Sequence, residues 1–258
     1  MFAKDLEGKN GLIFGVANHR SIAWAITKVL DQAGMNLILA YQNSRLKDSI
    51  EKLSSTLQNA SVVECDVSDD QGISTAFEQI NNRVNQLSVV VHSIAFANRE
   101  DLGGQFSHTP REGFQTALDI SAYSLLPIAR LSSTLMGEEG GSILTLTFQA
   151  SERVFPGYNV MGTAKAALEN SVRQLAAEYG PSNIRVNAIS AGPVDTLSSR
   201  VISNYKVMKT AHTERSPLGR GITQEEIANT ALFLSSELSS GITGAIIPVD
   251  CGYNIMGV

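Results

Sequence analysis

The sequence predicts an α/β protein folded as one doubly wound parallel sheet. Short apolar runs bounded by glycine or polar residues recur along the chain, and segments with helical spacing fall between them. No repeat, low-complexity tract or linker interrupts the alternation. Such an order implies right-handed β-α-β units, with helices covering both faces of the sheet. With 258 residues, 43% of them hydrophobic, the chain is long enough to bury a sizeable core, and we read 1–258 as one domain.

The first apolar run, Leu12-Ile13-Phe14, lies between Gly11 and Gly15 and is followed by helical spacing over 21–33, ending at Gly34. The pattern repeats as a strand over 35–41 with a polar helix over 45–57, then a strand over 61–65 with a helix over 70–84. Residues 87–94 are rich in β-branched side chains and form the fourth expected strand. A long polar loop over 95–110 and one continuous helix over 112–136 should follow. The fifth strand is expected over 142–147, the next helix over 158–179 and the sixth strand over 184–189. A partly helical polar insertion over 198–215, a helix over 224–234 and a seventh strand over 245–250 complete a single-domain, seven-stranded Rossmann-type sheet.

The net charge of -5 gives no reason to expect nucleic acid or an anionic membrane as partner. Met1 to Lys9 lacks the apolar run of a signal peptide, and no stretch of about 18 apolar residues occurs, so no membrane insertion is expected. Cys65 and Cys251 lie far apart, as suits a reducing, cytoplasmic setting. The histidines show no metal-ligand spacing, and no metal is expected.

The chemistry centres on Tyr158 and Lys165, seven positions apart at the start of a helical pattern. Two turns of helix put them on one face about 10 Å apart along the axis, too far to touch. A long lysine there can contact sugar hydroxyls while its charge lowers the phenol's pKa. The turn after the first strand, Gly15 to Ala23, lacks G-x-G-x-x-G but offers Gly15 for a tight bend, small Ala17 and Ala23, and Ser21 at a helix start. Ser21 serves equally well as an N-cap. After the second strand stands Gln42 instead of the acid common in NAD sites, with Arg45 nearby; NADH is favoured over NADPH. Asp66, followed by Val67, suits either the adenine amino group or the cap of the next helix.

Further segments sharpen this picture: His92-Ser93-Ile94-Ala95-Phe96-Ala97, Asp119-Ile120-Ser121, Tyr158-Asn159-Val160-Met161-Gly162 with Lys165, and Asn187-Ala188-Ile189-Ser190-Ala191-Gly192-Pro193. With the Gly15 turn they resemble, over essentially the whole chain, the bacterial and plastid enoyl-acyl-carrier-protein reductases, a divergent branch of the short-chain dehydrogenase/reductases. The resemblance implies reduction of trans-2-enoyl thioesters with NADH in fatty-acid biosynthesis, on substrates carried by acyl carrier protein, in a homotetramer. It assigns Gly15, Ser21, Ile22, Gln42, Asp66, Val67 and Ile94 to the dinucleotide and Lys165 to the nicotinamide ribose. Val194, Thr196, Leu197 and Ser198 would border the nicotinamide and pyrophosphate, Ala97 would touch substrate, and Tyr158 would bond the thioester carbonyl oxygen. An insertion near 195–215 would form the substrate lid.

One position departs from the family's commoner pattern. Many members carry a second tyrosine ten residues before the active one, where this chain has Phe148. Phe148 is expected either to pack against substrate or nicotinamide, or to be a core aromatic at a strand end. Two other functions remain open at this point. A carbonyl reductase would use the hydroxyl of Thr145, thirteen residues before Tyr158, and a non-catalytic NAD-binding regulator would tolerate the loss of a site tyrosine.

Overall fold

The computed structural model describes residues 4–197, 199, 202 and 204–257. Seven strands, β1 (Asn10–Phe14), β2 (Asn36–Tyr41), β3 (Ala60–Glu64), β4 (Val89–His92), β5 (Gly141–Thr147), β6 (Ile184–Ala191) and β7 (Ile246–Val249), form one sheet. Their order is β3-β2-β1-β4-β5-β6-β7 and every pairing is parallel. Parallel strands require crossovers, supplied here largely by α1 (Ile22–Gln32), α2 (Ser44–Ser54), α3 (Asp70–Asn81), α4 (Arg111–Leu118), α5 (Leu125–Met136), α6 (Asn159–Tyr179) and α8 (Gln224–Ser235). The remaining helix, α7 (Tyr205–Arg215), lies within the insertion after β6.

Two apolar layers sandwich the sheet because buried strand residues alternate between faces. Ile13, Leu37, Leu39, Val91 and Leu144 pack with Trp24, Ile26 and Leu30 of α1, Ile50 of α2, and Ile227 and Leu234 of α8. Leu12, Phe14, Ile38, Val90 and Ile143 pack on the other side with Phe77 of α3, Ile128 of α5, and Leu168 and Val172 of α6. Burying a Leu, Ile or Phe side chain is worth about 1.5 to 3 kcal/mol, so these layers fix the strand order and the rim it creates.

Strand order reverses between β1 and β4, both paired to their neighbours in register, with Phe14 opposite Ala40 on one side and His92 on the other. The strands therefore end along one rim, with the crevice of a doubly wound sheet at the switch.

One expected element is divided. Instead of a continuous helix over 112–136, α4 passes through a wider π turn, Asp119–Tyr123, before α5 begins. The cause is tertiary: the Ser121 hydroxyl accepts a bond from the Phe96 amide and donates one to the Phe96 carbonyl, both at 2.9 Å. Sequence periodicity carries no trace of that bond.

Candidate active site

The turn after β1 requires its glycine. Gly15 has φ +92, and a Cβ there would stand 2.0 Å from the Ser93 carbonyl oxygen at the end of β4. Ser21 caps α1, its Oγ accepting from the Trp24 amide at 3.2 Å and donating to the Asn18 carbonyl at 2.8 Å. The cap orients the first amides of α1, including that of Ile22, which have no acceptor within the helix and suit a pyrophosphate.

At the far end of the crevice, Gln42 is exposed and its Nε2 donates to Asp66 Oδ2 at 3.3 Å. Asp66 does not cap the following helix. Asp69 does, accepting from the amides of Gln71 and Gly72, while Asp66 Oδ1 takes the amide and hydroxyl of Ser68. Burial works to raise the Asp66 carboxyl, but the bonds from Ser68 and Gln42 outweigh it and hold the group below its ordinary value. A fixed carboxylate with an amide beside it suits an adenosine moiety. Val67 and Ile94 are half-buried on the adjoining core.

Beyond the switch, Tyr158 is the N-cap residue of α6 and Lys165 lies two turns into that helix. Lys165 is 4% exposed, and its Nζ donates to the Leu146 carbonyl at 2.7 Å. Burial pushes its pKa down to about 8, against the pull of the Glu169 carboxylate. For the phenol, the structure reverses the expected direction. Burial of the Tyr158 hydroxyl pushes its pKa well above the ordinary 10.0, and the lysine does not lower it. Tyr158 is therefore a protonated hydrogen-bond donor at neutral pH, a state suited to an oxygen that gains negative charge.

Phe148 is 9% exposed and meets both Tyr158 and Phe155, with ring centroids 5.1 and 4.6 Å away. It is a packed aromatic wall beside the phenol. Ala97 lies half-buried in the small apolar cluster that also contains Leu102, Met161 and Tyr158. The loop that carries Ala97 is tied down: Asn159 Nδ2 donates to the Gly103 and Gly104 carbonyls at 2.9 and 3.3 Å, and Asp101 is buried against Gly113.

Thr145 is 1% exposed and cannot meet a substrate. Its Oγ1 lies 2.9 Å from His92 Nδ1, and the other ring nitrogen lies 2.9 Å from Ser124 Oγ. On the β6 side Val194 is buried in the first core layer, and Thr196 and Ser199 exchange side-chain and backbone bonds at 3.0 Å. Leu197 is exposed, α7 follows in the expected insertion, and Ser198 lies outside the described residues. No group of three or more His, Cys, Asp or Glu among the described residues is placed to hold a metal ion.

Sequence reasoning gave no role to His92, Ser121, Thr147, Asn159 or Glu169. Glu169 alone had a usable signal: a carboxylate four residues after Lys165 shares its helix face.

The parallel sheet, glycine turn, capped α1 and Gln42-Asp66 pair define a nucleotide-binding α/β protein of the doubly wound type. Residues 15–254 match the family model described as enoyl-(acyl carrier protein) reductase, and the chain belongs to that family. It is 47% identical over 257 residues to the enoyl-acyl-carrier-protein reductase (NADH) FabI of Rickettsia typhi, covering 100% of this chain and 98% of the relative. The crystal structure of the Bacillus cereus reductase with NADP+ and indole naphthyridinone is 48% identical, with TM-score 0.95 over 98% of this chain and 99% of that one. The Anaplasma phagocytophilum reductase in complex with NAD is 42% identical, with TM-score 0.94 over 98% of this chain and 96% of that one.

Proposed function

We propose that this chain reduces the carbon-carbon double bond of trans-2-enoyl thioesters, carried on acyl carrier protein, with NADH as reductant in fatty-acid biosynthesis. The observation that carries this reading is the protonated phenol of Tyr158, half-buried beside Phe148, with Thr145 sealed in the core. Such a donor stabilises an enolate oxygen, whereas the hydroxyl a carbonyl reductase would use is spent on His92.

The residues present fit a dinucleotide. Gly15 and the amide of Ile22, oriented by the Ser21 cap, take the pyrophosphate, Gln42 the adenosine ribose, and Asp66 with Val67 the adenine. Ile94, Val194, Thr196 and Leu197 border the nicotinamide half, and Lys165 holds its ribose through ammonium donors not used by Leu146. The bound dinucleotide supplies a hydride to the substrate's β-carbon. Tyr158 donates a hydrogen bond to the thioester carbonyl oxygen as charge builds there, and Ala97 and Phe148 hold the acyl group against the phenol. A proton from solvent on the α-carbon would then convert the enolate to the saturated thioester.

The neutral Gln42, able to bond ribose hydroxyls, favours NADH, while the exposed Arg45 leaves the 2′-phosphate of NADPH a partner. The insertion near 195–215 would serve as the lid over the acyl group; among its described residues, Lys209 Nζ and Asp195 Oδ2 lie 2.6 Å apart. No helix among the described residues is long and apolar enough to cross a membrane. A cytoplasmic setting and a homotetramer are what the family resemblance implies.

The test is direct. Purified protein is mixed with NADH and either a crotonyl or an acetoacetyl thioester, and loss of reduced-cofactor absorbance is followed. Consumption with the enoyl thioester alone is expected; consumption only with the ketone would overturn the proposal.

A further inference from the structure

Two charged side chains lie buried one helical turn apart on α6. Lys165 and Glu169 are each 4% exposed, and both face the end of β5. They are not joined as a pair. The ion pairs among the described residues, Lys47 with Glu51, Lys209 with Asp195 and Arg220 with Glu226, are all at the surface. Consecutive residues of β5 divide the two charges between them: the Leu146 carbonyl accepts from Lys165 Nζ at 2.7 Å, and the Thr147 hydroxyl donates to Glu169 Oε1 at 2.7 Å.

We infer that Glu169 is a positioning residue for Lys165: held off the ammonium by Thr147, its carboxylate balances the buried positive charge without consuming the donors that bind the dinucleotide. An ammonium has three N–H donors, and Leu146 takes one. A carboxylate in direct contact would compete for the other two. With no counter-charge, the buried ammonium would lose its proton and with it the ability to hold a ribose diol by donation. Glu169 at its present place avoids both outcomes.

The titratable groups around Lys165 fit this division. On α6 they are Glu169, whose charge supports the ammonium, and the protonated Tyr158. On β4, His92 is held neutral by burial and by the lysine's own charge. The β5 contacts, Leu146 and Thr147, are uncharged. Among the described residues Glu169 is thus the negative charge acting on the group, and burial nonetheless brings the lysine down to about 8.

Because Lys165 is assigned to the nicotinamide ribose only in the function proposed above, the role of Glu169 rests on that assignment. The experiment separates the two. The NADH dissociation constant of the full chain is measured by cofactor fluorescence from about pH 6 to about pH 10. Glu169→Gln should bind like the unaltered protein near pH 6 and about tenfold more weakly near pH 9, because losing the carboxylate moves the alkaline limb down by about one unit. Glu169→Asp, which keeps the charge, should restore the limb. Thr147→Val should weaken binding at every pH, as the freed carboxylate takes the ammonium's donors, and Thr147→Ser should not.

An unmoved limb in Glu169→Gln, while Lys165→Met abolishes binding, would overturn the role of Glu169 alone. Uniform weakening that Glu169→Asp fails to rescue would do the same. Failure of the unaltered protein to bind NADH would overturn the assignment of Lys165 and this role with it. If Glu169→Gln does not fold, equal behaviour of Thr147→Val and Thr147→Ser would overturn the proposal.

Discussion

Phe148 presents to Tyr158 edge to face, with ring planes at 71° and centroids 5.1 Å apart. Where many relatives of the resembling family carry a second phenol, this chain has a hydrocarbon wall, so the hydroxyl of Tyr158 acts without that partner. Tyr158→Phe should therefore cut turnover by roughly 10² to 10⁴ and leave NADH affinity nearly intact, the loss expected for one positioned donor. Steady-state kinetics beside a cofactor titration measure both; unchanged turnover would remove Tyr158 from the chemistry.

Gly15→Ala tests the cofactor turn. The new methyl group would sit 2.0 Å from the Ser93 carbonyl on a backbone with φ +92, so the turn must move off β4. Strain of this kind costs on the order of 1 to 3 kcal/mol. NADH affinity should fall about tenfold or more, on the basis that each 1.4 kcal/mol is a factor of ten. Wild-type affinity in the variant would show that the turn does not hold the pyrophosphate.

Thr145→Val distinguishes a structural hydroxyl from a catalytic one. It leaves His92 Nδ1 without its partner in the core, a loss of about 1 to 3 kcal/mol in unfolding free energy. Turnover per folded molecule on an enoyl thioester should stay within a factor of about two, since RT ln 2 is small beside any catalytic interaction. A drop of about a hundredfold with stability intact would restore Thr145 to the reaction.

His92 makes stability depend on acid. Burial, then the charge of Lys165, pushes its pKa from 6.5 down to about 3. The unfolded chain protonates this histidine below about 6.5 while the folded protein does not, so the unfolded state binds more protons in that interval. Stability is fully present above 6.5 and falls as pH drops toward 3, by at most about 1.4 kcal/mol per unit from this group. Urea unfolding at several pH values should show that slope, reduced by one proton in His92→Gln; equal slopes would mean the histidine is charged in the native state.

The strands were legible because a sheet covered on both faces needs continuous apolar runs, and Leu12-Ile13-Phe14 and Val89-Val90-Val91 supply them. The rim positions followed from topology, which places strand ends such as Phe14, Tyr41 and Thr147 on one side. What the sequence hid depends on bonds between distant segments. The π turn at Ser121 exists because its hydroxyl clasps Phe96, 25 residues away. Thr145 reads as a candidate hydroxyl until His92 is seen to occupy it, and the phenol's pKa follows from an enclosure that no spacing reveals. Whether Asp66 capped the next helix was also undecidable by residue type; Asp69, three residues on, holds that place.

The Asn159 amide joins the first turn of α6 to the backbone at Gly103 and Gly104, so the helix turn next to the phenol and the loop bearing Ala97 share a direct link. In the segment of the proposed lid, the exposed pair of Lys209 and Asp195 is by itself worth at most about 1 kcal/mol. His212 of α7 is buried and stacked on Tyr253, with ring centroids 4.5 Å apart, so the proposed lid is held at its base by that packing more than by the surface pair.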